Sequence, residues 1–371
     1  MMNATRSALR GRGLSLLLAL ATAVLVAVLL LAALSSSFVA SLGLFFLGPF
    51  SSAWYLGNML AGASILVMAG LAASVAFSSR NFNLGGEGQV YLGAIAATAF
   101  CLAFPRGEGP LFSLLALVAG SAAGALLAWC SGALKLSLGV DELISSFLIS
   151  AAAVYLGGFL VAGPLQDPTS NFVSTRAVPE AYRLARIFPP STLSTGAFLS
   201  LAVLVLSVFV RARTRFGFEL GMVGRNAEFA RYGGIDTKFY VWAPMTLSGA
   251  LYGLAGALLV LGSYYKSMKG FTAGIGWSGV AVALVAGNAP LALLPSALLF
   301  AYIDSGSKAV MVGSDVTGEI VSVIQATVFF LVTARAAEGF LGGSLRRPRR
   351  AARPGPGAGQ GSGSRPPKGG A

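Results

Sequence analysis

Two long apolar runs, Trp54 to Phe77 and Val90 to Phe104, contain no charged residue and enclose the polar stretch Arg80-Asn81-Phe82-Asn83-Leu84-Gly85-Gly86-Glu87-Gly88-Gln89. Comparable apolar runs recur along the 371 residues, and a chain built this way must place most of itself in a lipid bilayer. With 56% hydrophobic and 11% charged residues, its composition lies far from that of a soluble domain. The fold class predicted is an all-α polytopic transmembrane bundle of about ten membrane segments, some of them short or broken.

A polar stretch between two such runs is costly at bilayer depth unless it faces a bundle interior or a water-filled cavity. Two readings follow. In the first, Asn81, Asn83, Glu87 and Gln89 shape a substrate pathway. In the second, the stretch is a surface connector, with Asn83 capping the helix that starts near Gly86 and Glu87 favoured by that helix's positive end.

The net charge of +13 resides in short loops and at the chain ends, which reads as a topology signal and not as a nucleic-acid footprint. Cys101 and Cys130 lie inside apolar runs, so no disulfide framework or zinc site is expected. The sequence has no histidine, which removes most metal-hydrolytic and nucleophile-imidazole chemistry. Gly276-Trp277-Ser278-Gly279 has the form of an intramembrane serine protease motif but lacks a general base. No catalytic residue, metal or cofactor is expected.

Taken in order, residues 1–13 form a cytoplasmic N-terminus carrying Arg6, Arg10 and Arg12, followed by an apolar segment from Leu14 to Leu34. That segment is longer than the roughly 7 to 15 residues of a signal-peptide core, so it reads as a retained helix. The membrane region runs from 14 to 335, with further spans at 54–77, 90–104, 111–134, 143–161, 195–210, 239–261 and 316–332. Gly120 with Gly124, and Gly249 with Gly253, have the spacing that lets helices approach closely. Residues 162–193, rich in proline, form an extracytoplasmic loop that is either a connector or a docking surface. The pieces 277–286 and 291–303 each fall short of a comfortable span and are either two short crossings or a re-entrant pair. Residues 336–371 form a basic, Gly- and Pro-rich tail, expected to be disordered, cytoplasmic and near anionic lipid.

Arg211-Ala212-Arg213-Thr214-Arg215 is the strongest positive-inside signal in the interior of the sequence and puts the segment 211–238 in the cytoplasm. There Asn226 suits an N-cap, Glu228 and Arg231 complement the helix ends, and Gly233 suits a left-handed C-cap. A helix of about two turns is unstable alone and needs something to pack against. The chain has no P-loop, so an ATP-driven motor would be a separate polypeptide.

The phrase Phe82-Asn83-Leu84-Gly85-Gly86-Glu87-Gly88-Gln89, followed by Leu92-Gly93-Ala94, resembles the FN(I/L)GxEGQ signature of ABC-importer permeases of the branched-chain amino acid, simple sugar and nucleoside group. Val223-Gly224-Arg225-Asn226, with Ala230-Arg231-Tyr232-Gly233-Gly234-Ile235, resembles that family's cytoplasmic coupling segment. Gly279 to Leu284, with Gly287-Asn288-Ala289-Pro290-Leu291, is similar to its GIAVALLGxNxPLG stretch, but without the basic residue that often follows the glycine.

The wording most resembles nucleoside-type permeases. The resemblance implies a transport subunit of the inner membrane with both termini cytoplasmic, and not an enzyme. Its partners would be a cytoplasmic ABC ATPase, a second permease subunit, homologous or identical, and an extracytoplasmic substrate-binding lipoprotein. It implies coupling through Gly224, Arg225, Asn226, Ala230, Arg231, Tyr232 and Gly233, and adds Asn288 to the pathway candidates. A nucleoside is the first substrate choice, and a simple sugar or riboflavin the alternative. An ion-coupled secondary transporter is the competing class, with Glu87 and Asp304 as its only ionisable candidates.

Overall fold

The computed structural model describes residues 35–107 and 109–317, with single positions between 25 and 32 and between 323 and 330. The expected first helix, most of the last span and the basic tail lie outside the described residues. Within them the chain is helical, and isolated bridges take the place of strands.

The first helix, α1, is short (Phe38–Leu47) and is followed by a single tight turn at Gly48–Phe50. Its approach is fixed by Asp315, which accepts hydrogen bonds from the hydroxyls of Ser35, Ser36 and Ser37. Then α2 (Ala53–Ser78) starts at Ser52, whose side chain accepts from the Tyr55 N–H. The polar stretch breaks the helix, and α3 (Gly86–Ala103) begins within it. Next come α4 (Pro110–Leu138), closed by Gly139 in the left-handed conformation, and α5 (Glu142–Ala162), whose N-cap Asp141 accepts from the Leu143 N–H at 2.8 Å.

After the proline-rich connection come α6 (Gly196–Arg213), α7 (Arg215–Arg225) and α8 (Ala227–Tyr232). Helix α9 (Phe239–Leu259) ends in a wider turn at Val260–Tyr264. Helix α10 (Ile275–Val285) is short, and α11 (Pro290–Gly313) follows it.

Five of these helices, α2, α4, α5, α6 and α9 with its wider turn, are long and apolar enough to cross a membrane. They divide by burial. The apolar windows of α2 and α9 are 78% buried, against 28%, 33% and 17% for α4, α5 and α6. An inner group is therefore screened by helices that keep exposed outer faces of Leu, Val and Phe, as a lipid-facing surface requires. The two glycine pairs meet each other: a Cβ on Gly124 would collide with the Gly249 carbonyl, and one on Gly253 with the Gly120 carbonyl. Here α4 and α9 touch backbone to backbone.

Three expectations need correction. The segment 291–303 is not a short crossing, because α11 continues for 24 residues through Asp304 and Lys308, which pair at 2.7 Å one turn apart. Asn83 does not cap α3: Gly85 stands at the cap, and Asn83 faces the bundle interior. Gly233 has φ −78°, and the left-handed residue after α8 is Gly234. The segment 211–238 also holds a second, longer helix, α7, that the sequence reading did not separate. It is amphipathic and buries Gly217, Leu220 and Val223.

Candidate functional site

The break between α2 and α3 is held by side chains. Asn81 is buried and donates to Ser79 Oγ and to the Tyr240 carbonyl, both at 2.8 Å, while its Oδ1 accepts from Lys135 Nζ at 3.0 Å. Lys135 pairs with the buried Glu142 at 2.8 Å. Asn83 and Gln89 bond reciprocally, amide to amide, at 2.9 and 3.0 Å, and Asn83 also donates to Ser248 Oγ. The Leu84 and Gly85 N–H groups donate to Ser146 Oγ and Asn83 Oδ1. These contacts answer the demand that irregular backbone inside a bilayer be satisfied by protein.

Glu87 faces the other way. Its carboxylate accepts from Thr272 Oγ1 at 2.5 Å and from the N–H groups of Gly274 and Gly276 at 3.1 and 2.9 Å. Gly274 is the N-cap of α10 and offers no side chain of its own. Glu87 therefore caps α10 from a neighbouring helix, a place that the positive end of a helix favours for an anion.

Beside this junction lies a cavity of about 450 Å³ between α2, the segment 263–275, α10 and α11. Trp54, Tyr55, Tyr264, Phe271 and Phe300 supply its aromatic wall. Polar groups come from Asn58, Thr192, Thr272, Ser278, Asp304 and Lys308. Asn58 Oδ1 is fixed by the N–H and hydroxyl of Thr192 at 3.0 and 2.7 Å.

Of the predicted pathway residues, the structure brings Asn81, Asn83, Glu87 and Gln89 into one region, and none of them lines the cavity. Glu87 is one contact away, through Thr272. Asn288 is elsewhere, in the left-handed turn between α10 and α11. Its carbonyl accepts from Ser74 and Arg211, and its buried Oδ1 has no partner. Sequence reading missed Trp54, Tyr55, Asn58, Thr272 and Lys308. They belong to three separate segments, α2, the stretch before α10 and α11, and no spacing signals their convergence.

At the arginine-bearing end, Asn226 caps α8 by accepting from the Phe229 N–H at 3.1 Å. Helices α7 and α8 share an apolar cluster of Leu220, Val223, Ala230 and Tyr240. Gly224 sits so close to the Ser78 carbonyl that a Cβ would collide with it. Arg225, Asn226, Arg231, Tyr232 and Gly233 are exposed, as are Phe218 and Phe229. The hydrogen bond from Arg215 holds the Glu219 carboxyl below its usual range, and the Tyr240 hydroxyl adds to the effect.

An all-helical bundle with long apolar outer helices, a broken polar centre and an exposed helix pair at its arginine-bearing end suits a membrane transport subunit. The chain belongs to the family described as branched-chain amino acid transport system / permease component, which matches residues 55–333. It is 36% identical to the probable riboflavin import permease protein of Treponema pallidum, over 85% of this chain and 83% of that one. It is 30% identical to the guanosine ABC transporter permease protein of Bacillus subtilis, over 81% and 87% of the two chains. To the glucose ABC transporter permease protein of Haloferax volcanii it is 31% identical, over 82% and 83%. The chain is thus a permease component of the ABC-importer class, a membrane transport subunit and not an enzyme.

Proposed function

We propose that this subunit carries a small ring-bearing polar solute across the cytoplasmic membrane of a bacterium, a nucleoside being the first choice, with energy from a separate ATPase. The observation that carries the reading is the cavity: five aromatic rings face polar groups in a space of about 450 Å³, the composition expected of a site that stacks a ring and orients it by hydrogen bonds. Relatives named for guanosine and riboflavin support a ring-bearing solute, and the relative named for glucose keeps a simple sugar as the second candidate.

In this reading Glu87 fixes the cavity wall, Asn81, Asn83 and Gln89 brace it from behind, and Asn288 marks the inner end of the pathway. The full subunit has about ten membrane segments, with both termini and the basic tail in the cytoplasm near anionic lipid. Arg225, Asn226, Arg231, Tyr232 and Gly233, with Phe218, receive the ABC ATPase, and Gly224 and Ala230 seat the two helices behind them. The loop 162–193 receives a substrate-binding lipoprotein, and a second permease subunit completes the path.

The test is purification of the tagged protein from its native membrane with its bound polypeptides, followed by uptake assays in proteoliposomes. The panel is guanosine, riboflavin, glucose and ribose, with and without ATP. ATP-dependent uptake of one ring-bearing compound supports the reading. Uptake without ATP that collapses with an ionophore identifies a secondary carrier instead.

A further inference from the structure

The contacts around the α2–α3 break join the cytoplasmic helices to the cavity wall without interruption. Glu219, on α7, accepts from the Tyr240 hydroxyl at 3.0 Å, and the Tyr240 carbonyl accepts from Asn81 at 2.8 Å. Asn81 accepts from Lys135, Lys135 pairs with Glu142, and Glu142 accepts from the Phe82 N–H at 3.4 Å. From Phe82 to Gly85 the backbone has left the helical ladder: the N–H groups of Phe82, Leu84 and Gly85 go to the side chains of Glu142, Ser146 and Asn83. Such a segment can shift as a unit when its side-chain holders move. A helix would have to break its own hydrogen bonds to do so. Two residues beyond it, Glu87 grips the start of α10, and Thr272, Ile275 and Ser278 from that region line the cavity.

We propose that Tyr240, Asn81 and Glu142 are positioning residues of the transport cycle: they deliver movement of α7 and α8 to the break at 79–85, and through Glu87 to the cavity wall. This rests on the importer reading given above and adds a mechanical route to it. The bistable element is the break together with α10, and the contiguous contacts are the physical basis for coupling.

Asn81→Asp separates this role from a merely structural one. The aspartate keeps the size and the acceptor for Lys135 but cannot donate to the Tyr240 carbonyl. The complex purified with its own ATPase is assayed for solute taken up per ATP hydrolysed. Relay residues change coupling by about 2- to 30-fold, and Asn81→Asp is expected to lower the ratio about tenfold with ATP hydrolysis little changed. Tyr240→Phe, which removes only the bond to Glu219, is expected to lower it about threefold.

Because the two lie in series, the double variant should be no worse than Asn81→Asp alone, whereas independent sites would multiply. Should Asn81→Asp fail to assemble, Tyr240→Phe decides alone. An unchanged ratio in an assembled variant, or multiplied effects, overturns the relay. A wild-type complex that transports without ATP overturns the importer reading itself, and the relay with it.

Discussion

Removing the Glu87 carboxylate should loosen the start of α10 before anything else in the bundle. Two of its three hydrogen bonds come from N–H groups at the first turn of α10, which has no cap of its own. Hydrogen bonds to a charged acceptor contribute about 1.5–3 kcal/mol each, so Glu87→Ala should cost about 3 kcal/mol or more for these two. Water does not replace the carboxylate easily, since Gly276 packs directly on the Glu87 backbone.

Glu87→Gln is the sharper variant. Its single oxygen can keep the two bonds made by Oε1, to Thr272 and Gly274, but its NH₂ then faces the Gly276 N–H. One buried donor is left unpaired, at a cost of about 1–3 kcal/mol. For a chain of 371 residues each kcal/mol moves a melting midpoint by about 1–1.5 °C, so a drop of about 4 °C is expected for the alanine variant and about half that for the glutamine variant. The assay is thermal unfolding of the detergent-purified subunit followed by intrinsic fluorescence. Equal midpoints for wild type and Glu87→Gln would refute the cap.

Enlarging the α4–α9 contact should also destabilise: Gly124→Leu is expected to cost about 1–3 kcal/mol, read as a lower melting midpoint, because the helices must separate. At the end of α8, Arg231→Glu or Gly233→Pro should abolish ATP-coupled uptake while far-UV circular dichroism and detergent extraction stay as in wild type. For Gly233→Pro the loss of the N–H that bonds Phe229 O adds a local reason. The pH dependence of α7 has a defined sign. Glu219 has a lowered carboxyl pKa in the fold, so its contribution is present above its ordinary value of 4.5 and fades as pH falls below that value. Amide exchange protection of α7, corrected for intrinsic rates, should hold from neutral pH to that point and decline beneath it.

Much of the architecture was legible because membrane helices announce themselves by length. The span read at 143–161 is α5 within one residue at each end, and the two glycine pairs identified by spacing turned out to be partners. Asn226 was legible as a cap because a short polar side chain before a helix has little else to do. The extent of α11 was not, since Asp304 and Lys308 look like the end of an apolar run, whereas their spacing of one turn lets them pair within a helix that continues to Gly313. Glu87 was read against its own helix, and its partner proved to be a helix more than 180 residues away in sequence. The cavity was hidden for the same reason. Trp54, Asn58, Thr272 and Lys308 carry no shared local pattern, and only the packing of α2 against α10 and α11 assembles them.

The measurement that bears most directly on the account is the accessibility of the cavity during ATP turnover. A cysteine placed at Ser278, on the cavity wall formed by α10, is labelled with a membrane-impermeant thiol reagent in the reconstituted complex, with Cys101 buried and Cys130 replaced by serine. The account predicts that the labelling rate from one side changes severalfold between the ATP-free complex and the complex trapped with ATP and vanadate, and that the transported solute protects the site. Equal labelling in both states, with no protection by any transported solute, would contradict it.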